Sequence, residues 1–254
     1  MINKERQCTQ SRQPLAQPCM QATIGPPFPL RAALNLTPLL AAQALCFQRQ
    51  GQAVFGPLHF TLAAGQLLQA CGGNGAGKTS LLRVLAGLSQ PSSGQVHFDG
   101  QPANNDARTR YVAYLGHLAA IKAELGCLHN LQAACGLLGR RARQTPQGAL
   151  TIVGLSGLEH VPAGSLSAGQ RRRLALARLW LSPAPVWLLD EPYANLDGEG
   201  MDLVDRMLAA HLRSGGAAIL TCHGEFNRCR LPHQLLQMDH DVPLPTDGNH
   251  GAGQ

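Results

Sequence analysis

The sequence predicts an α/β chain built around a parallel sheet, and three stretches carry that prediction. Gly65 to Cys71 reads as a short strand, and Gly72-Gly73-Asn74-Gly75-Ala76-Gly77-Lys78-Thr79-Ser80 follows as a glycine-rich loop. Leu81, Leu82, Val84 and Leu85 then fall at the spacing of a helix's buried face. Val186-Trp187-Leu188-Leu189 is a continuous apolar run ending in Asp190-Glu191, as expected of a strand covered on both faces. A helix-length stretch from Glu199 to Leu212 is stopped by Gly215-Gly216, and Ala217 to Cys222 makes a further buried strand. Strands and helices in alternation fold most readily as a parallel sheet with covered faces.

The loop after the first strand matches glycine, any four residues, glycine, lysine, threonine. Glycines at 72, 73, 75 and 77 let the backbone curl with its N–H groups inward, so a polyphosphate can sit in a ring of amide donors at a helix N-terminus. In such a P-loop, Lys78 neutralises the β- and γ-phosphates and the Thr79 hydroxyl is placed to ligate Mg²⁺.

Bulk composition narrows the classes. A chain of 254 residues can bury a substantial core, as one domain or two compact subdomains. No apolar run approaches the roughly 18 residues of a membrane span, and Leu30 to Phe47 is broken by Arg31, Asn35, Thr37 and Gln43. No basic-then-apolar signal opens the sequence, so a cytoplasmic protein is expected. The net charge of +6 is almost all arginine, with lysine only at 4, 78 and 122. Its clusters, Arg171-Arg172-Arg173 beside a motif and Arg140-Arg141-Arg143 in a polar run, do not favour a nucleic-acid partner. Eight cysteines without a CxxC pair in a long chain point to reduced, mostly buried thiols. Cys127, His129 and Cys135 fit no zinc spacing.

Taken in order, residues 1–35 are rich in Gln and Pro without period and read as a disordered extension. Ala44 to Arg49, Leu58 to Leu62 and Gln95 to Asp99 read as strands, with turns at Pro91-Ser92-Ser93-Gly94 and Gly100. Arg110 to Leu115 reads as another strand, running to Gly116-His117. From about 118 to 158, Leu125, Leu128, Leu131, Leu137 and Leu138 suggest a mostly helical insert, with 139–148 as a surface loop. Arg171 to Leu181 covers a helix face with Leu174, Leu176, Ala177, Leu179 and Trp180, and Pro183 stops it. Residues 239–254 read as a flexible tail.

The order of the remaining motifs selects among the P-loop families. Leu166-Ser167-Ala168-Gly169-Gln170 resembles the signature motif of ABC ATPases, with Ala168 in place of the first glycine. Val186 to Asp190 resembles the Walker B strand, Asn195-Leu196-Asp197 the D-loop, and His223 the switch histidine that contacts the γ-phosphate. The resemblance implies a RecA-like core carrying a small antiparallel β subdomain and a helical subdomain at about 118–164, the ABC domain spanning 36–238. It implies ATP and Mg²⁺ as ligands, with Asp190 beside Thr79 at the metal and Glu191 as the base that accepts a proton from the attacking water. Positioned bases are worth on the order of 10² to 10⁴ in rate. It also implies a head-to-tail homodimer, in which Ser167, Gly169 and the helix N-terminus after them cap the ATP held by the opposite P-loop.

A narrower resemblance rests on the position where most relatives carry the Q-loop glutamine, here His117 in Tyr114-Leu115-Gly116-His117, followed by Ile121-Lys122 and Leu128-His129-Asn130-Leu131. Together with Arg178-Leu179-Trp180-Leu181, this is similar to the ATP-binding subunit of the haem exporter of cytochrome c maturation. The implied partners are integral-membrane permease subunits, and the implied place is the cytoplasmic face of the bacterial inner membrane. Gly126 and His129 depart from the threonine and glutamate usual in that group. No tyrosine stands at the adenine-stacking position, where Arg49 and Phe47 are both candidates. The rivals are the ATPase subunit of another small ABC exporter or importer and a soluble nucleic-acid-associated ABC protein. Proteins of the latter kind generally carry two nucleotide domains or coiled-coil arms, and one P-loop without sustained heptads speaks against it.

Overall fold

The computed structural model describes residues 37–117, 120–139, 141–222 and 229–238. The expected extension at 1–35, the tail at 239–254 and the switch position His223 lie outside the described residues.

Two strands open the described chain, β1 (Leu40–Arg49) and β2 (Gln52–Leu62), paired antiparallel across a tight hairpin. Both are longer than their sequence pattern suggests. Register shifts between Ala42 and Leu45, and again around Phe47, break the in–out alternation that would have revealed the full strands. β3 (Leu67–Cys71) is buried through Ala70 and leads into the glycine loop, after which α1 (Lys78–Leu85) begins. β4 (Ser93–Phe98) and the short β5 (Gln101–Pro102) complete a four-stranded antiparallel sheet in the order β2-β1-β4-β5.

The next element corrects the strand expected over Arg110 to Leu115. Residues Asn105–Tyr111 form a helix, α2, and only Val112–Leu115 is strand, β6. Asn104 starts the helix by accepting the Ala107 N–H at 2.7 Å. None of its residues is buried, so it offers no apolar period to read. In the insert, α3 (Cys127–Leu137) is joined by a second helix, α4 (Pro146–Ile152), which begins inside the expected 139–148 loop. Thr145 caps α4 through its hydroxyl, and Pro146 takes a first-turn position that needs no N–H.

α5 (Ala168–Leu181) packs on the sheet beneath the insert. It is followed by β7 (Val186–Asp190), α6 (Gly198–Arg213), β8 (Ala217–Thr221) and an edge strand, β9 (Gln234–Gln237). The second sheet is wholly parallel, ordered β6-β7-β8-β3-β9. Its centre is covered on both sides, because alternate residues of a strand face opposite ways. Trp187, Leu189, Ala218 and Leu220 join the core under α5 and α6. Val186, Leu188, Ile219, Leu68 and Ala70 join a second core with α1 and the antiparallel sheet. Burial of each large apolar side chain contributes about 1.5–3 kcal/mol, and the two cores together cover both faces of the central strands.

Candidate active site

The carboxyl ends of β3, β7 and β8 meet where the glycine loop enters α1, the crevice in which open α/β sheets bind ligands. Gly72, Gly75 and Gly77 adopt φ of 150°, 86° and 85°. Two of them are also sterically required. A Cβ on Gly72 would lie 2.5 Å from the Met238 carbonyl oxygen, and one on Gly77 would lie 2.9 Å from the Val54 side chain. Asn74 is exposed, Ala76 is buried, and Ser80 lies in the first turn of α1. Lys78, 8 % exposed, folds its ammonium back onto the loop, donating to the Gly72 and Gly73 carbonyls at 2.7 and 2.8 Å.

At the end of β7, Asp190 is 1 % exposed. Its Oδ1 accepts from the Thr79 hydroxyl at 3.1 Å and the Thr221 hydroxyl at 2.8 Å. Oδ2 is buried and, among the described residues, has no hydrogen-bond partner. A buried carboxylate oxygen without a partner is costly unless a cation serves it. An acidic oxygen beside a threonine hydroxyl is a donor set suited to Mg²⁺.

Glu191 follows with φ of 49°, a left-handed conformation uncommon for a non-glycine residue. Its N–H donates to Thr221 Oγ1 at 3.1 Å. Thr221 thus holds both acidic residues at once, a role not anticipated from sequence, although a lone hydroxyl closing the apolar run Ala217 to Leu220 is its signal. His117 Nδ1 lies 3.8 Å from Glu191 Oε2, with the imidazole largely exposed.

Arg172 is a second unanticipated member. It is 6 % exposed, on the same face of α5 as Leu176 and Leu179. Its guanidinium donates to the carbonyls of Asp190, Glu191, Pro192 and Gly116. An arginine on the buried face of an amphipathic helix was the available signal.

Ser167 and Gln170 form a reciprocal cap on α5: Gln170 N–H donates to Ser167 Oγ at 3.1 Å, and Ser167 N–H donates to Gln170 Oε1 at 3.0 Å. Ser167 and Ala168 are exposed, and a Cβ on Gly169 would come 3.1 Å from the Asn195 carbonyl oxygen. Asp197 caps α6, accepting the Gly200 N–H at 2.8 Å, and pairs with Arg173 at 3.2 Å. These hydrogen bonds hold its carboxyl below the usual carboxylate range.

At the end of β1, the Phe47 ring stacks on Phe55 with centroids 5.9 Å apart, and Arg49 is exposed. The departure at Gly126 has a steric reason. It bridges to Pro162, and a Cβ there would lie 3.1 Å from the Glu159 carbonyl oxygen. Cys127 is fully buried and Cys135 half-buried, and burial pushes both thiols up. Among the described residues no disulfide joins the cysteines, and no cluster of three metal-ligating side chains occurs.

A lysine folded onto a glycine loop at the mouth of a parallel sheet, with Asp190 and Thr79 joined beneath it, is the architecture of a P-loop nucleoside triphosphatase. Residues 55–194, more than half of the chain, match the ABC transporter family model, and the chain belongs to that family. It is similar to a protein of Xanthomonas oryzae pv. oryzae named cytochrome c biogenesis ATP-binding export protein CcmA, at 61 % identity over 80 % of this chain and 94 % of the relative. A protein of the same name from Xylella fastidiosa is 48 % identical over 79 % of this chain and 94 % of the relative. Among solved structures, an ABC transporter ATP-binding protein from Pyrococcus furiosus shares the fold with a TM-score of 0.67 at 23 % identity, covering 78 % of this chain and 96 % of that one. An ATP-binding cassette solved as a dimer with ADP and Pi gives 0.68 at 19 % identity, over 78 % and 94 %.

Proposed function

We propose that this chain is the ATP-hydrolysing subunit of a membrane ABC complex that powers haem export and delivery in c-type cytochrome biogenesis, bound peripherally to the cytoplasmic face of the bacterial inner membrane. The observation that carries the ATPase half is the end of β7, where a buried, unpartnered Asp190 oxygen sits beside Thr79 and next to a conformationally constrained Glu191. The cargo half rests on the CcmA relatives and on Gly116-His117 with Ile121-Lys122.

In this reading the amides from Gly72 to Ser80 and the Lys78 ammonium bind the β- and γ-phosphates. Thr79 and Asp190 would hold Mg²⁺, which when bound would supply charge to offset that building on the phosphate oxygens. Glu191 orients the attacking water and accepts its proton, with His117 beside the same carboxylate. His223, outside the described residues, is the side chain this reading assigns to the γ-phosphate. Ser167 Oγ accepts the cap bond, and among the described residues its O–H makes no donation, which leaves it for a ligand. Ser167 and Gly169 of one copy close over the nucleotide held by the other, with Asp197 lying along the same seam. ATP binding closes the pair and hydrolysis reopens it.

The motion passes to permease subunits through a groove of about 610 Å³ between α2, α3 and α5, lined by Leu88, Arg108, Leu137 and Arg178 and reaching Gly116. Leu88 and Leu137 are 58 % and 84 % exposed, and large apolar side chains left in water around a concavity mark a protein contact. Among the described residues no helix is long and apolar enough to cross a membrane.

Two measurements test the two halves. Lys78→Ala should abolish ATP binding, whereas Glu191→Gln should bind ATP and accumulate as a dimer by light scattering. A Glu191→Gln protein that stays monomeric with ATP, beside a parent whose specific activity is independent of concentration, refutes the sandwich. Tagged protein drawn from membranes should bring a permease and haem with it, and a permease that arrives without haem overturns the cargo.

A further inference from the structure

Arg172 lies on α5, five residues beyond Ser167, and its guanidinium reaches two separate segments of the site. Nη2 donates to the carbonyls of Asp190 at 2.9 Å and Glu191 at 2.6 Å, and Nε donates to that of Pro192 at 3.3 Å. Nη1 donates to the carbonyl of Gly116 at 3.2 Å. Every acceptor is main chain, so the buried charge grips the backbone on both sides of Glu191 and the residue preceding His117. Burial lowers the affinity of the guanidinium for its proton, and the Asp190 and Glu191 carboxylates counter that effect. A non-glycine residue persists at positive φ only where its surroundings hold it there. Thr221 holds the Glu191 N–H, and Arg172 holds its C=O. The helix that carries Arg172 is the one whose capped end, Ser167 to Gly169, faces outward.

We propose that Arg172 is a positioning residue for hydrolysis: it fixes Glu191 and Gly116-His117 in one frame with the signature helix, so that seating of that helix on a nucleotide aims the Glu191 carboxylate. The proposal rests on the reading of Glu191 as the base. A simple brace of the strand end would predict lost stability and weakened ATP binding together with lost turnover. A positioning role predicts a loss confined to turnover.

The test uses Arg172→Met and Arg172→Lys in the full 254-residue chain. For Arg172→Met, kcat should fall about 10²-fold, the cost of a misplacement on the order of 1 Å, with KM for ATP within about twofold of the parent. Arg172→Lys should recover part of that loss, to about 10-fold below the parent, because an ammonium keeps the charge but lacks the planar fork. The Arg172→Met change added to Glu191→Gln should slow residual hydrolysis no further and should leave the ATP-dependent dimer in place, since residues acting through one another are not additive. Parent-like kcat in Arg172→Met, a KM that rises in step with the loss, an additive loss in the double variant or a missing dimer each overturns the proposal. If Arg172→Met does not stay folded, the kcat and KM of Arg172→Lys decide by the same criterion. Normal turnover in Glu191→Gln sinks the base assignment itself, whereas an inactive Glu191→Gln beside a normal Arg172→Met sinks only the role given to Arg172.

Discussion

An arginine packs at each end of β7, half-buried Arg143 at the entry and buried Arg172 at the exit, and the two are used in opposite ways. At the entry of the strand, Trp187 stacks on His211 with ring centroids 4.0 Å apart and 9° between planes, and meets Trp180 edge-on at 6.1 Å. Arg143, from the segment before α4, lies over Trp187 at 5.5 Å and brings Nη1 and Nη2 to 3.3 Å from His211 Nδ1. His211 Nε2 is 3.1 Å from the carbonyls of Pro185 and Ala217, so Nε2 carries the proton, Nδ1 accepts from the guanidinium, and the ring is neutral. At the exit of the strand, Arg172 grips carbonyls around two carboxylates, one of which retains an unserved oxygen. The entry is an apolar knot tying the 141–145 segment to the sheet. The exit keeps a buried carboxylate oxygen available to a ligand. Identical charge chemistry is structural in one place and site-forming in the other, and the neighbours decide which.

This contrast breaks most sharply at Glu191. Glu191→Gln should lower kcat by about 10² to 10⁴, with a melting temperature unchanged in calorimetry. A fall in stability of similar consequence would dissolve the distinction between the two ends. Trp187→Ala should do the reverse, costing about 3–5 kcal/mol of stability in denaturant titration while any protein that remains folded binds ATP as the parent does.

The pH dependence sharpens the entry end. Burial, with Arg143 adding to it, pushes the His211 pKa down to about 3. In the unfolded chain this residue binds a proton near pH 6.5, so the knot contributes fully above that pH and loses strength as pH falls toward 3. The slope is about 1.4 kcal/mol per pH unit, and His211→Gln should flatten it in unfolding curves between pH 4 and pH 6. The smallest effect is expected at Ser167→Ala, where loss of the cap should cost about 1 kcal/mol. Its lost hydroxyl should also weaken ATP-driven pairing, measured in the Glu191→Gln background, and unaltered pairing would detach the serine from the partner nucleotide.

Much of the parallel core could be read directly. The β7 and β8 runs are apolar because both faces are covered, and the P-loop is a local string whose chemistry needs no distant partner. Readability failed where local signals conflict or are missing. α2 buries nothing and so left Arg110 and Tyr111 looking like strand. In β1 the bulges at Ala42 to Phe47 scrambled the alternation. β9 is an edge strand of four residues with a mostly exposed pattern. Thr221 and Arg172 are each one polar residue in an apolar setting, and their partners are 31 and 18 residues away along the chain at Asp190.

The sequence alone determined the phosphate loop, the acidic strand end, the serine-led helix and the family to which they belong, because each is a short segment whose backbone needs dictate its residue types. Only the tertiary structure decided which polar groups serve the acidic pair and which arginine serves packing. Those outcomes depend on the parallel registration of β7 with β8 and on the seating of α5 against both, and distances set by packing across the chain are not encoded in any one stretch of it.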